Sequence, residues 1–263
     1  MNQLVHASNW LQPDWPDLAD RVVAFSTTRC GGVSAGAYDD GYGAGGLNLA
    51  LHVGDDSESV LVNRQKINTI LTNPVTFLSQ VHGTMVMDAS RLSHDIAQPS
   101  VADAVFTSQS GLACAVMTAD CLPVLMVDQN ATVVAAAHAG WRGLVNGVLQ
   151  NTVAAMRDRS QTDLRAWLGP AISVAHFEVG AEVLHEFALK LPGADKFFYK
   201  KNTASGSEKY HADLYSLAKL ALQQVGVDAV TGGEFCTYTD EQRFYSYRRS
   251  AVTGRMASVI CLR

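Results

Sequence analysis

The chain has 263 residues, of which 48% are hydrophobic and 17% charged, and its formal net charge is −5. That composition belongs to a globular protein with length enough for a substantial core, and it sets aside an intrinsically disordered chain. The acidic balance and the lack of a long basic run argue against a nucleic-acid partner, and no stretch approaches the roughly 20 apolar residues of a membrane span.

The first residues carry no basic lead and no apolar run, and they include Pro13 and Pro16, so they do not read as a signal peptide and the expected compartment is the cytoplasm. Cys30, Cys114, Cys121, Cys236 and Cys261 are odd in number and scattered. That pattern suits reduced thiols better than a disulfide framework.

Val22 to Thr27 reads as a strand. A stretch rich in Gly, Ser, Asn and Asp follows from Arg29 to about Asp56 and reads as a loop. Val60, Ile67, Ile70 and Leu71 have helical spacing, with Ser57 placed to cap that helix. Val75 to Leu78 reads as a strand running into Gln80-Val81-His82-Gly83. The apolar runs Ala104 to Thr107, Ala113 to Thr118, Leu122 to Val127 and Thr132 to Ala137 are separated by turn residues and read as buried strands. A helix is expected from Trp141 or Arg142 to about Met156, then a strand over Arg165 to Leu168. Helices are expected over Gly180 to Lys190 and Ala212 to Val225, and strands near Ala229, over Arg243 to Tyr247 and over Met256 to Cys261. Strands and helices mix without strict alternation. The expected fold is a single layered α+β domain over residues 1–263, with mixed β-sheets flanked by helices.

His82, Cys121 and His138 sit at the ends of expected strands, where a rigid core holds side chains in fixed geometry beside a cleft. Imidazole and thiolate both match zinc, and three protein ligands leave a fourth position open, which is the catalytic pattern. Taken singly, each residue also has a structural reading, a buried Cys being usually an inert small hydrophobe. Trp141 reads as packing, and His52 as a satisfied loop or core histidine.

Gln80-Val81-His82-Gly83, Thr118-Ala119-Asp120-Cys121-Leu122-Pro123 and His138-Ala139-Gly140-Trp141-Arg142-Gly143 occur in this order. With Ser26-Thr27-Thr28-Arg29-Cys30-Gly31-Gly32-Val33-Ser34, Leu47-Asn48-Leu49, His52-Val53-Gly54-Asp55-Asp56, Asn63-Arg64, Phe244-Tyr245-Ser246-Tyr247-Arg248-Arg249 and Thr253-Gly254-Arg255-Met256-Ala257, they resemble the YfiH family through nearly the whole chain. Members have been called multicopper polyphenol oxidases, laccase-like, and purine nucleoside phosphorylases. The resemblance implies an α+β fold, zinc held by His82, Cys121 and His138, and a purine nucleoside and phosphate as substrates. It implies phosphorolysis of inosine, guanosine, adenosine or methylthioadenosine, with some adenosine deamination.

On that footing Arg29, Arg64 and Arg248 are candidates to hold phosphate, since a guanidinium fork binds its oxygens bidentately, and Asn48 to bond ribose or phosphate. Two departures from the family pattern stand out: the glycine-rich link from Asp39 to Gly46 is longer, and Ser250 follows Arg249 where Asp is usual. Three rival readings remain. A copper oxidase needs closely spaced histidines, whereas the eight here are scattered without a His-x-His pair. A metal-free cysteine hydrolase would use Cys121 as nucleophile and His138 or His82 as base. The third rival is a non-enzymatic metal-binding or interaction protein.

Overall fold

The computed structural model describes residues 10–71, 74–201 and 208–263. Part of the stretch read as lacking a signal peptide therefore lies outside the described residues. The strands are β1 Val22–Ser26, β2 Cys30–Ser34, β3 Val86–Asp88, β4 Ala104–Thr107, β5 Ala113–Thr118, β6 Leu122–Asp128, β7 Val134–Ala139, β8 Leu164–Leu168, β9 Glu178–Gly180, β10 Phe198–Lys201, β11 Lys209–Ala212, β12 Ala229–Gly232 and β13 Met256–Leu262. The helices are α1 Ser57–Asn68, α2 Trp141–Val145, α3 Val148–Arg157, α4 Ala181–Lys190 and α5 Leu214–Gln224. This is an α+β fold, as the mixed pattern of the sequence implies.

A six-stranded mixed sheet has the order β12-β8-β6-β7-β4-β3, and a three-stranded antiparallel sheet the order β1-β13-β5. They pack face to face because their strands alternate between two cores. Cys114 and Val116 of β5 and Ile260 of β13 meet Leu125 and Val127 of β6 and Val134 and Ala136 of β7. Leu122, Val124 and Met126 of β6 and Ala135, Ala137 and Ala139 of β7 point the other way, onto Val148, Val153, Leu217 and Ala218 of α3 and α5. Behind the small sheet, Ala115, Met117 and Val259 pack on Leu47, Leu49 and Ile67, which brings α1 and the preceding loop onto that face. The result is four layers. Strands in the middle are buried on both sides, which is why they read as unbroken apolar runs. A third sheet, β10-β11-β9, stands beside α4.

Several expectations need correction. Val75 to Leu78 is extended chain outside any named strand; only Ser79 forms an isolated bridge, to Val101. Arg243 to Tyr247 is turn and coil, because Arg243 and Phe244 amides bond back to the Asp240 carbonyl. The helix after His138 is two helices, broken at Gly147, whose φ of 98° is left-handed. The α1 cap is Asp56, whose carboxylate accepts the Ser59 amide. The loop after Arg29 contains β2, and β7 runs past His138 to Ala139.

A candidate metal centre at the end of the central strands

Strand register assembles the site. His138 lies near the end of β7, with Pro123 of β6 paired to it on one side and Ala104 of β4 paired to the preceding Ala137 on the other. Cys121 comes just before β6 and Asp103 just before β4, so both flank His138. His82 arrives on the loop before β3. Its φ of 60° is unusual for a residue with a side chain. Asp103 holds that backbone: its carboxylate accepts the amides of Val81, His82 and Gly83 at 3.2, 2.9 and 2.6 Å. The same carboxylate accepts a hydrogen bond from Nδ1 of His138 at 2.8 Å. One buried Asp therefore fixes both histidines and leaves Nε2 of His138 free as a donor. Burial alone would raise the Asp103 pKa, but the bonds from His138 and the amides outweigh it and hold it below the usual carboxylate range.

The donor atoms of His82, Cys121 and His138 lie within 4.8 Å of one another, with Cys121 Sγ 3.6 Å from His82 Nε2. A tetrahedral zinc with ordinary bond lengths separates its ligand atoms by about 3.5 Å, so this donor set fits with little movement. Among the described residues it is the one group of three or more His, Cys, Asp or Glu side chains gathered this way. Gly140 makes room for it. A Cβ there would fall 2.7 Å from His82 Cδ2 and 3.1 Å from Cys121 Sγ. Without metal, burial opposes both charged forms of Cys121 and His138, yet their mutual attraction prevails. The thiol is lowered to about 6, and His138, also bonded to Asp103, is raised to about 9.

The group lies in a cleft of about 600 Å³ whose walls include Met117, Trp141, Phe177 and Tyr247 and the cations Arg142, Arg248 and Arg255. Each arginine sits against a cleft ring: Arg142 on Trp141, Arg248 on Phe177 and Arg255 on Tyr247, at 4.5, 5.5 and 5.8 Å. None of the three has a carboxylate ion-pair partner among the described residues. The one acidic residue of the lining, Asp120, is occupied, accepting Thr237 Oγ1 and the Arg248 amide, each at 2.6 Å. The cleft is thus cationic in an acidic protein, which favours an anionic ligand.

Of the substrate contacts expected from the sequence, only Arg248 lines this cleft. Arg29 is taken up by the Asp39 and Glu241 carbonyls and the Asp39 carboxylate. Asn48 is fully buried and has no bonding capacity left: Nδ2 donates to Ala50 O and Asp55 Oδ2, and Oδ1 accepts from the Ala50 and Arg255 amides. Arg64 lies over Phe77, donates to Leu49 O and lines a separate groove. His52 is a correction of another kind. It lines the cleft, and its imidazole makes no hydrogen bond among the described residues.

Sequence reasoning did not single out Asp103 or Arg255. The only signal for Asp103 was a lone acid directly before a buried strand, and Arg255 sat inside a quoted motif without a role. Thr118 was missed too. It lines the cleft, is 2% exposed, and its Oγ1 has no partner among the described residues. A buried unpaired hydroxyl costs about 1–3 kcal/mol, so it calls for a ligand.

The structure thus combines a layered α+β fold with a His-Cys-His group, able to hold a metal ion, in a cationic cleft. The family model described as multi-copper polyphenol oxidoreductase laccase matches residues 23–263, and the chain belongs to that family, the YfiH family. A purine nucleoside phosphorylase of Pseudomonas aeruginosa is 46% identical over 253 residues, covering 96% of this chain and 98% of the relative. The purine nucleoside phosphorylase YfiH of Escherichia coli is 44% identical over 258 residues, covering 97% and 99%. A crystal structure of a Neisseria meningitidis protein superimposes with a TM-score of 0.85 at 47% identity, covering 97% of this chain and 99% of that one. YlmD from Geobacillus stearothermophilus gives a TM-score of 0.84 at 30% identity, covering 98% and 97%.

Proposed function

We propose that this chain is a zinc-dependent purine nucleoside phosphorylase acting on inosine, guanosine, adenosine and methylthioadenosine. The carrying observation is the His82–Cys121–His138 group on the floor of a cleft lined by Arg142, Arg248 and Arg255. Relatives named as purine nucleoside phosphorylases over nearly the full chain support it. His82, Cys121 and His138 would hold the zinc, which supplies a Lewis acid toward an oxygen of the substrate. In the reaction a phosphate oxygen bonds to the anomeric carbon of ribose. The C–N bond to the purine breaks, and the purine leaves with the electron pair and takes up a proton. The products are ribose 1-phosphate and the free base. The cleft arginines offset the charge of phosphate and orient it, while Trp141, Phe177 and Tyr247 give the purine and ribose apolar surface. Some adenosine deamination, with water replacing the 6-amino group, is proposed for the same cleft.

No helix among the described residues is long and apolar enough to cross a membrane, and the five cysteines are free. The free thiols support a cytoplasmic setting. The test is elemental analysis of purified protein together with product chromatography of nucleosides, with and without phosphate. About one zinc per chain and phosphate-dependent release of free base are expected. Cys121→Ala should lose most of the metal and the activity while remaining folded; full zinc retention in that variant sinks the assignment.

A second reading has its own observation. Cys121, His138 and Asp103 stand in the order of a thiol nucleophile, base and orienting carboxylate. A metal-free hydrolase built on them keeps its activity in a chelator, and the phosphorylase does not.

A further inference from the structure

We propose that Thr118, Arg255 and His52 form the seat of the attacking phosphate, an oxyanion site on the cleft wall beside Cys121. This rests on the phosphorolysis reading above. All three side chains line the one cleft. Thr118 closes β5 and is paired with Met256 of β13, and Arg255, the residue before Met256, leads into that end of the sheet, where the cleft opens. The Leu49 amide bonds the Arg255 carbonyl, and the Arg255 amide bonds Asn48 Oδ1. Those bonds tie the segment leading into the Leu51–Val53 turn, with its His52, to the same corner.

The side chains are short of partners in the way an anion would remedy. Along β5, Cys114 and Val116 face the six-stranded sheet while Ala113, Ala115 and Met117 face α1. Thr118 continues the first set and reaches the cleft where that sheet ends. Its hydroxyl is buried and makes no hydrogen bond among the described residues. Arg255 commits only Nη1, to the Thr253 and Gly254 carbonyls, which leaves Nε and Nη2 without a protein acceptor among the described residues. His52 brings an unbonded ring into the same wall. Burial and the charges of Arg255 and Arg64 hold it neutral, so it can donate one N–H without adding a repulsive cation. Two free guanidinium nitrogens, a hydroxyl and an imidazole N–H are the donors that a tetrahedral oxyanion takes up. Cys121 follows Thr118 by three residues, which sets the anion next to the metal ligands.

Equilibrium dialysis with inorganic phosphate, run beside steady-state kinetics, tests the seat. Thr118→Val, nearly the same shape, should raise the KM for phosphate and its dissociation constant about 10-fold, the loss of one hydrogen bond to a charged ligand. Arg255→Gln should raise both about 100-fold, and Arg255→Lys should recover little of it. In all three, the KM for nucleoside should stay within about 2-fold of the parent and the metal content should be unchanged. Unaltered phosphate binding in Thr118→Val and Arg255→Gln overturns the seat, as does a nucleoside KM that climbs in step with that for phosphate. If the parent protein binds phosphate, the variants lose it, and no nucleoside is cleaved, the seat stands and the phosphorolysis reading falls.

Discussion

Asp103 accepts a hydrogen bond from Nδ1 of His138 at 2.8 Å with the same carboxylate that gathers three successive amides of the His82 loop. The two histidines are therefore aimed by one residue. Asp103→Ala should lower zinc affinity about 10- to 100-fold, the usual cost of losing a carboxylate behind a metal-bound imidazole. Competition with a chromophoric chelator measures it. Asp103→Asn should fall between the two, because an amide still accepts from His138 but repels amide N–H groups with its own NH₂. Parent-like affinity in Asp103→Ala would falsify this aiming role.

Gly140→Ala places a methyl 2.7 Å from His82 Cδ2 and 3.1 Å from Cys121 Sγ. The backbone there has an ordinary φ of −62°, so the damage is steric crowding of the donors and not backbone strain. Metal content should drop while the melting temperature of the metal-free protein changes by no more than about 3 °C, roughly 1 kcal/mol in a chain of this size. Calorimetry of chelated samples separates the two effects.

Asp128 tests the fold away from the cleft. Its buried carboxylate accepts the Thr132 and Val133 amides and the hydroxyls of Thr132, Ser160 and Thr162 at 2.6–3.0 Å. Burial pushes its pKa up, but these donors win and hold it below 3.8. A lowered carboxylate contributes stability that is fully present above the unfolded value and is lost as pH falls through the folded value. Asp128→Asn should cost about 3 kcal/mol near neutrality. Its urea midpoint should also fall less steeply than that of the parent below pH 4. Parallel pH profiles would show that the carboxylate charge is not what these donors hold.

Asn48→Ala should behave as a folding mutation. It removes four bonds from a fully buried amide and frees the Arg255 main chain. A loss of about 3 kcal/mol would lower the melting temperature by about 6–12 °C. Arg29→Ala should lower it as well, through the bonds to Asp39 and Glu241, with the cleft intact. Activity lost at unchanged melting temperature in Asn48→Ala would restore a direct contact with substrate.

The middle strands were legible because they are buried on both faces and so carry no polar residues to interrupt them. The gathering of His82, Cys121 and His138 was legible from residue chemistry and motif. The small β10-β11-β9 sheet was not, since Lys200, Lys201, Lys209 and His211 break any apolar alternation along β10 and β11. Phe244 and Tyr245 misled in the opposite sense. They are buried as anchors of a turn, and burial of large rings looks the same in sequence whether the backbone is strand or coil. The arginines posed a related difficulty. Arg29, Arg64 and Arg255 have the same chemistry, and only their tertiary placement decides which one reaches the cleft.

The central place of β13 in its sheet also governs how the protein reaches its fold. Ser26 of β1 bonds Ser258 of β13 across 232 residues, and β5 is likewise paired to β13 and not to β1. Neither outer strand has its partner until nearly all the intervening chain is available. Such distant pairings cost loop-closure entropy before they return any contact, so this sheet should assemble late and slowly. In the six-stranded sheet β6 pairs with β7 and β8, both close to it in sequence, and that part can form first. His138 and Cys121 would then be in place early, while Arg255, carried in with β13, would complete the cleft at the last step.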